Sequence, residues 1–150
     1  MSQIVPDPTH PDDADARLRR SEELLRSAQQ LARVGSWEWE VGSETVTWSD
    51  ELYRIFGRDP AGGPVVYAEY LGYLHPDDRP VLGAAIERAI KLGEAFEVEH
   101  RLVRRDGSIR WVLGRGGRIA GADGRAVRLI GTAQDVTERR EAEETRRRLA

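Results

Sequence analysis

The sequence predicts an α+β fold: a five-stranded antiparallel sheet with helices on one face. Three observations predict it. Phe96, Val98, His100 and Leu102 alternate with Glu97, Glu99 and Arg101, and period two marks a half-buried strand. Asp106-Gly107 follows that run, and a second Asp-Gly lies within Gly121 to Gly124. Asp-Gly accepts positive φ and so favours a tight hairpin, which makes the last three strands a meander. Between residues 50 and 92 the apolar spacing becomes helical. Two strands before and three after that helical middle can close into one sheet.

In chain order, residues 1–14 contain Pro6, Pro8 and Pro11 among polar neighbours, and a disordered tail is expected. A flanking helix is expected over 15–33. Its apolar face is Leu24, Leu25, Ala28, Leu31 and Ala32, and Gly35 is the expected stop. Trp37, Trp39 and Val41 then alternate with Glu38 and Glu40, which places both tryptophans on one face of an outer strand. Gly42-Ser43 turns the chain into a second strand, Thr45 to Trp48. Ser49 suits the N-cap of a short helix, Asp50 to Phe56, which Gly57 ends. Asp59 to Pro64 reads as a loop and Tyr67 to Leu74 as a short helix. His75-Pro76-Asp77-Asp78 introduces a longer helix, Arg79 to Leu92, with Asp77 as its expected cap and Gly93 as its stop. The domain proper is expected over 35–137, and 138–150 begins a charged C-terminal helix.

Composition narrows the function. Twenty-three basic and 26 acidic residues leave a net charge of −3, which gives no general pull toward nucleic acid or an anionic membrane. The arginines of the terminal helix are offset by Glu138, Glu141, Glu143 and Glu144, so DNA binding there is disfavoured. No cysteine is present, which excludes disulfides and thiol chemistry. No apolar run approaches the ~18 residues that span a bilayer, so no membrane contact and a cytoplasmic location are expected. No nucleophile–base–oxyanion set stands out, and the expectation is a regulatory domain rather than an enzyme.

The segments GSWEWEV, WSDELYRIFG, LHPDDR, FEVEHRLVRRDGSIRWV and GTAQDVTERREAEE, in this order, resemble the tryptophan-rich subgroup of the PAS sensor domains, with its C-terminal PAC-type motif. They run from Gly35 to Glu144. The resemblance implies a cytoplasmic sensory input domain of a signalling protein, a histidine kinase or similar. Such a domain sits beside an output domain and passes ligand occupancy or conformation through the C-terminal helix. The alternative is a ligand-free dimerisation or protein-interaction module. Asp135-Val136-Thr137 matches the family's Asp-Ile-Thr junction, where the last strand hands over to the signalling helix.

The resemblance also directs attention to particular residues. It implies that the strand face carrying Phe96, Val98, His100 and Leu102, with Val112 and Gly114 opposite, lines the interior ligand pocket. His100 could hydrogen-bond a ligand there, or be an ordinary satisfied core histidine. Haem and non-covalently bound flavin are both disfavoured as cofactors. The covalent flavin–cysteine bond of the family's light-sensing members is excluded without cysteine. His75 has no second histidine at ligand spacing, so no metal site is expected. The tryptophans read as packing. Gly114-Arg115-Gly116-Gly117 lies inside a strand pattern and reads as a bulge or a close backbone approach.

At the junction, Asp135 with Glu138 fits a capping box, worth about 1 kcal/mol, and Thr137 could cap instead. Arg139 or an arginine on the sheet is an expected partner for Asp135. Trp111 is out of phase with Val112 and Gly114, and is expected on the outer sheet face near the N-terminal helix or Asp135. Asp135, Thr137 and Trp111 are therefore the candidate relay residues. The apolar face of the first helix predicts a homodimer with the flanking helices forming a coiled coil at its centre.

Overall fold

The computed structural model describes residues 11–120 and 127–150, with the side chains described from residue 13 onward. Six strands form one antiparallel sheet: β1 (Val34–Glu40), β2 (Thr45–Trp48), β3 (Val65–Val66), β4 (Phe96–Val103), β5 (Ile109–Ala120) and β6 (Val127–Asp135). Their spatial order is β3-β2-β1-β6-β5-β4. Among the described residues five α-helices accompany them, α1 (Pro11–Ala32), α2 (Asp50–Phe56), α3 (Tyr67–Tyr73), α4 (Arg79–Leu92) and α5 (Thr137–Leu149), with a short 3-10 helix at Pro60–Gly62.

The fold class is as expected, with one strand more. Val65 and Val66 sit between the expected loop, Asp59 to Pro64, and the expected helix, Tyr67 to Leu74, and pair with Val46 and Thr45. Two residues are too few to show a period. A second difference follows from strand order. β1 lies between β2 and β6, so Trp37 and Trp39 occupy an inner strand, not an outer one. The Gly121 to Gly124 turn lies outside the described residues.

Several helix ends differ from expectation. α1 starts at Pro11, inside the stretch expected to be a disordered tail, because Pro at a first helical position costs nothing. Gly35 does not end α1; Arg33 turns the chain with φ of 54°, and Gly35 is already in β1. A Cβ on Gly35 would lie 2.7 Å from the Leu52 Cα, so glycine there lets α2 lie against β1. Ser49 precedes α2 but makes no side-chain cap. Its hydroxyl accepts from Ser36 N at 2.9 Å, stitching the helix to β1 instead.

The core lies between the sheet and α2, α3 and α4. One part gathers Trp48, Leu52, Phe56, Tyr73, Leu102 and Val112 under α2 and α3. The other gathers Leu74, Leu82, Ile86, Ala89 and Leu129 under α4. Trp37, Trp39 and Tyr70 touch both parts and join them. α1 packs on β1 and α2, yet Leu18, Leu24, Leu25 and Leu31 remain 58 to 87 % exposed.

Candidate functional site

Two features of the chain can do something beyond holding the fold: an interior cavity and the junction between β6 and α5. The cavity sits where the two parts of the core meet. Trp37 and Trp39 of β1, Trp48 of β2, Tyr67 and Tyr70 of α3, and Leu82 and Ile86 of α4 line it, together with Phe96, His100 and Gly114 of the sheet. Among the described residues no Asp, Glu, Lys or Arg lines it. Its free space is about 40 Å3. One water needs roughly 10–15 Å3 and a small-molecule pocket roughly 300–1,000 Å3. Aromatic rings fill the remainder: Trp39 stacks on Tyr67 at 4.3 Å, and Trp48 leans on Phe56 at 4.4 Å. Burial pushes the Tyr67 and Tyr70 phenols up, so both stay protonated donors.

Of the six residues expected at the pocket, Phe96, His100 and Gly114 are at the cavity wall. Leu102 and Val112 are fully buried in the core instead. Val98 lines a separate groove of about 450 Å3 between α4 and β4. The strand face was legible from period two, but how far the helices cover it was not. The tryptophans, which read as packing, are cavity walls as well. His100 lies 3.2 Å from the Val98 carbonyl through Nδ1. Burial pulls its pKa down, against the opposing Val98 hydrogen bond and the Asp78 charge. A neutral ring that donates from Nδ1 keeps Nε2 as its acceptor.

No bulge forms at Gly114 to Gly117, and β5 pairs with β4 and β6 without interruption. The expected close backbone approach is there, since the Arg115 carbonyl lies where a Cβ on Gly131 would stand, and rings come close as well. A Cβ on Gly116 would lie 2.5 Å from the Phe96 Cζ and 2.8 Å from Trp37 Cζ2.

The junction brings together all three expected relay residues. Asp135 ends β6 with its side chain 5 % exposed, paired with Arg110 at 2.8 Å. Arg110 is the sheet arginine that the alternation left unnamed; it lies two residues before Val112, on the same face of β5. Asp135 Oδ1 accepts from Thr137 N at 3.0 Å. Thr137 Oγ1 accepts from Trp111 N at 2.8 Å, and Val136 N donates to the Trp111 carbonyl. Burial pushes the Asp135 pKa up, but the Thr137 hydrogen bonds and Arg110 outweigh it and hold the carboxyl below its ordinary value.

The capping box is not formed. Val136 occupies the cap position of α5 without a side-chain bond, and Glu138 pairs with Arg33 at 2.7 Å. Asp135 N also donates to the Arg33 carbonyl. The end of α1 and the start of α5 thus meet, because β1 and β6 are antiparallel neighbours.

Trp111 lies on the outer sheet face between two arginines. Arg140 of α5 sits 3.6 Å from its ring and Arg101 of β4 5.4 Å. Arg140 also bonds Glu99 at 2.8 Å. Asp78 holds Arg101 in turn, accepting from its backbone N at 2.7 Å and from its guanidinium at 2.9 and 3.1 Å. Those bonds hold the Asp78 carboxyl below its ordinary value, against the burial that raises it. Asp77, the expected cap of α4, is 77 % exposed and is not the residue before the helix; that place belongs to Asp78, which makes no cap bond either. Arg140 was missed from the sequence. Its one signal is position: three residues after Thr137, one turn into α5.

Comparison with known families places this architecture. The family model described as the PAS fold matches residues 45–133, more than half of the chain. The chain belongs to the PAS family. Among curated relatives, this PAS domain is 33 % identical over 125 residues to a blue-light-activated histidine kinase of Brucella anthropi. The alignment covers 83 % of this chain and 25 % of that protein, so the chain spans about a quarter of its curated relatives' length. Among solved structures, a sensory box histidine kinase/response regulator from Burkholderia thailandensis superposes with a TM-score of 0.67 at 28 % identity, covering 82 % of this chain and 92 % of that one. A domain of a putative light and redox sensing histidine kinase from Haloarcula marismortui gives 0.60 at 27 %, covering 79 % and 99 %.

Proposed function

We propose that this chain is the sensory input domain of a larger signalling protein, and that it passes its state to an output domain through α5. The observation that carries this reading is the seating of α5. β6 runs into it with one intervening residue, and its first turn is held by Asp135–Arg110, Thr137–Trp111 and the Arg140–Trp111 stack. These contacts come from the same sheet that walls the cavity. A change inside therefore reaches the helix start through two strands. The relatives' names support a histidine kinase as the parent, with any catalytic part outside this chain; on this reading the domain lies in the cytoplasm.

The parent acts as a homodimer on this reading. The exposed leucines of α1 form an apolar face, and a second copy of the same helix would cover it in a coiled coil. The interior is the sensed site, for a small uncharged molecule: no charged side chain lines it, and burying an unpaired charge there would be costly. Relatives activated by blue light raise flavin as an occupant. Its ring system does not fit about 40 Å3 in this conformation, and no cysteine is present to bond it. The second reading, a ligand-free dimerisation module, is favoured by that same filled interior.

The test of the relay is a chimera of residues 1–150 fused in helical phase to a reporter histidine kinase. Arg140→Ala removes the cation–π contact on Trp111, worth ~0.5–1 kcal/mol, and an exposed ion pair with Glu99 that adds little. That is too little to unfold a domain, but moves a balanced helix equilibrium about two- to fivefold. Reporter activity should change by that factor with the circular dichroism spectrum intact. Equal activity in wild type and Arg140→Ala would leave the junction as ordinary packing.

A further inference from the structure

The inner face of the sheet carries one row unlike its neighbours. Trp37 pairs with Gly131, Gly131 with Gly116, and Gly116 with Phe96, so two aromatic residues flank two glycines across four strands. Glycine inside a strand weakens it, and two facing each other need a reason. The rings supply one. Trp37 and Phe96 fold over the glycines from either side and lie nearly parallel, 16° apart with centroids at 6.3 Å. A Cβ on Gly116 would strike Phe96, and one on Gly131 would strike Trp37 and the Arg115 carbonyl.

Phe96 also stands at a boundary. It lines the enclosed cavity and, on its other side, the groove between α4 and β4. That groove holds about 450 Å3; Val81, Ala84 and Ala85 give it an apolar wall, and Arg88, Glu94 and Glu97 line it as well. Val81 is 60 % exposed. Phe96 is the first residue of β4, three positions after Gly93, the left-handed residue that ends α4. Its ring thus has somewhere apolar to go, by a side-chain rotation that leaves the ladder intact.

We infer that Phe96 is a gate: a flat, uncharged aromatic molecule displaces its ring into the groove and takes its place beside Trp37 on the bare backbone of Gly116. This deepens, and rests on, the reading of the interior as the sensed site; the relay through α5 stands or falls separately. The slot selects flat molecules because the glycine floor and the Trp37 ring are both planar. It selects uncharged ones because nothing charged lines it. His100 lies four residues after Phe96 on the same face of β4 and offers Nε2 as an acceptor, so a ring bearing one O–H or N–H donor fits best. In the closed state Phe96 occupies the slot, and apparent affinity is reduced by the fraction of open protein.

Phenol is the probe, one ring with one hydroxyl donor, and cyclohexanol is its puckered counterpart. The chain has two phenylalanines, Phe56 and Phe96. Protein labelled with 4-fluorophenylalanine therefore gives two fluorine resonances, assigned with Phe96→Leu. Phenol at pH 7 should move the Phe96 resonance and leave Phe56 unshifted, and cyclohexanol at equal concentration should move neither. In Phe96→Ala no ring has to leave, so phenol should bind at least tenfold tighter by calorimetry. Three results would each overturn the gate: a Phe96 resonance indifferent to phenol, the same response to cyclohexanol, or equal phenol affinity in wild type and Phe96→Ala. The labelled wild-type experiment decides the matter if that variant does not fold.

Discussion

Replacing Asp135 by alanine should cost far more than the loss of a helix cap. As a cap, the residue would be worth about 1 kcal/mol. In the folded chain its carboxylate is 5 % exposed, meets Arg110 Nε and Nη2 at 2.8 Å each, and accepts from Thr137 N. Removing one member of a buried pair costs ~3–5 kcal/mol, because its partner stays behind uncompensated. Arg110 is 24 % exposed and can recover some hydration, so about 2–3 kcal/mol is expected. Asp135→Asn keeps an acceptor for Thr137 N and should lose about half of that. Urea unfolding followed by tryptophan fluorescence measures it. With a slope of ~1–3 kcal/mol/M, the Asp135→Ala midpoint should fall by about 0.7–3 M. A double-mutant cycle with Arg110→Met should return a coupling of at least ~1 kcal/mol. The effect has a pH signature. The folded pKa is depressed, so this stability is fully present above the ordinary carboxylate pKa of ~3.9 and is lost as pH falls through the folded value. Wild type and Asp135→Ala should converge in acid. An Asp135→Ala cost under ~0.5 kcal/mol, or zero coupling to Arg110, would refute the argument.

Other outcomes follow from the same contacts. Asp78→Ala breaks three bonds to Arg101 and should cost ~2 kcal/mol in the same urea assay, whereas exposed Asp77→Ala should stay within ~0.5 kcal/mol. His100 has a depressed folded pKa, so its contribution is full above the unfolded value of ~6.5 and declines as pH falls from there; His100→Gln should flatten the stability profile between pH 6.5 and 5. Gly35→Ala should shift α2 or unfold the domain, since its Cβ would meet the Leu52 backbone, and circular dichroism with thermal melting reads this. Deleting residues 1–32 removes the exposed leucines of α1 while keeping Arg33, and light scattering should then give a monomer; an unchanged mass would reassign the interface.

The junction was legible in part. Asp135, Thr137 and Trp111 stand out by motif and phase, and they do meet. Their partners do not stand out. Arg110 and Arg101 are two of many arginines, and only the β4–β5 and β5–β6 registers bring them to Asp135 and Trp111. Glu138 stands at capping-box spacing, yet it turns to Arg33, 105 residues away in sequence. A local motif offers one partner, and a long-range ion pair at the same atoms replaces it. Asp77 and Asp78 are a similar case: adjacent carboxylates look interchangeable as caps until Arg101 engages the second.

The sequence by itself determined the class of fold, the limits of α2 and α4, the pairing of β4 with β5 through Asp106-Gly107, and the alternation of faces along β4 and the start of β5. These are local properties, set by period, turn chemistry and capping glycines within a few residues. Tertiary structure alone decided that β1 is an inner strand, that Val65 and Val66 add a sixth, and that Trp37 and Phe96 lie over Gly131 and Gly116. Those depend on which strands become neighbours and at what register, which no local window contains. Register placed two glycines beneath two rings, and the helices over that face left about 40 Å3 between them.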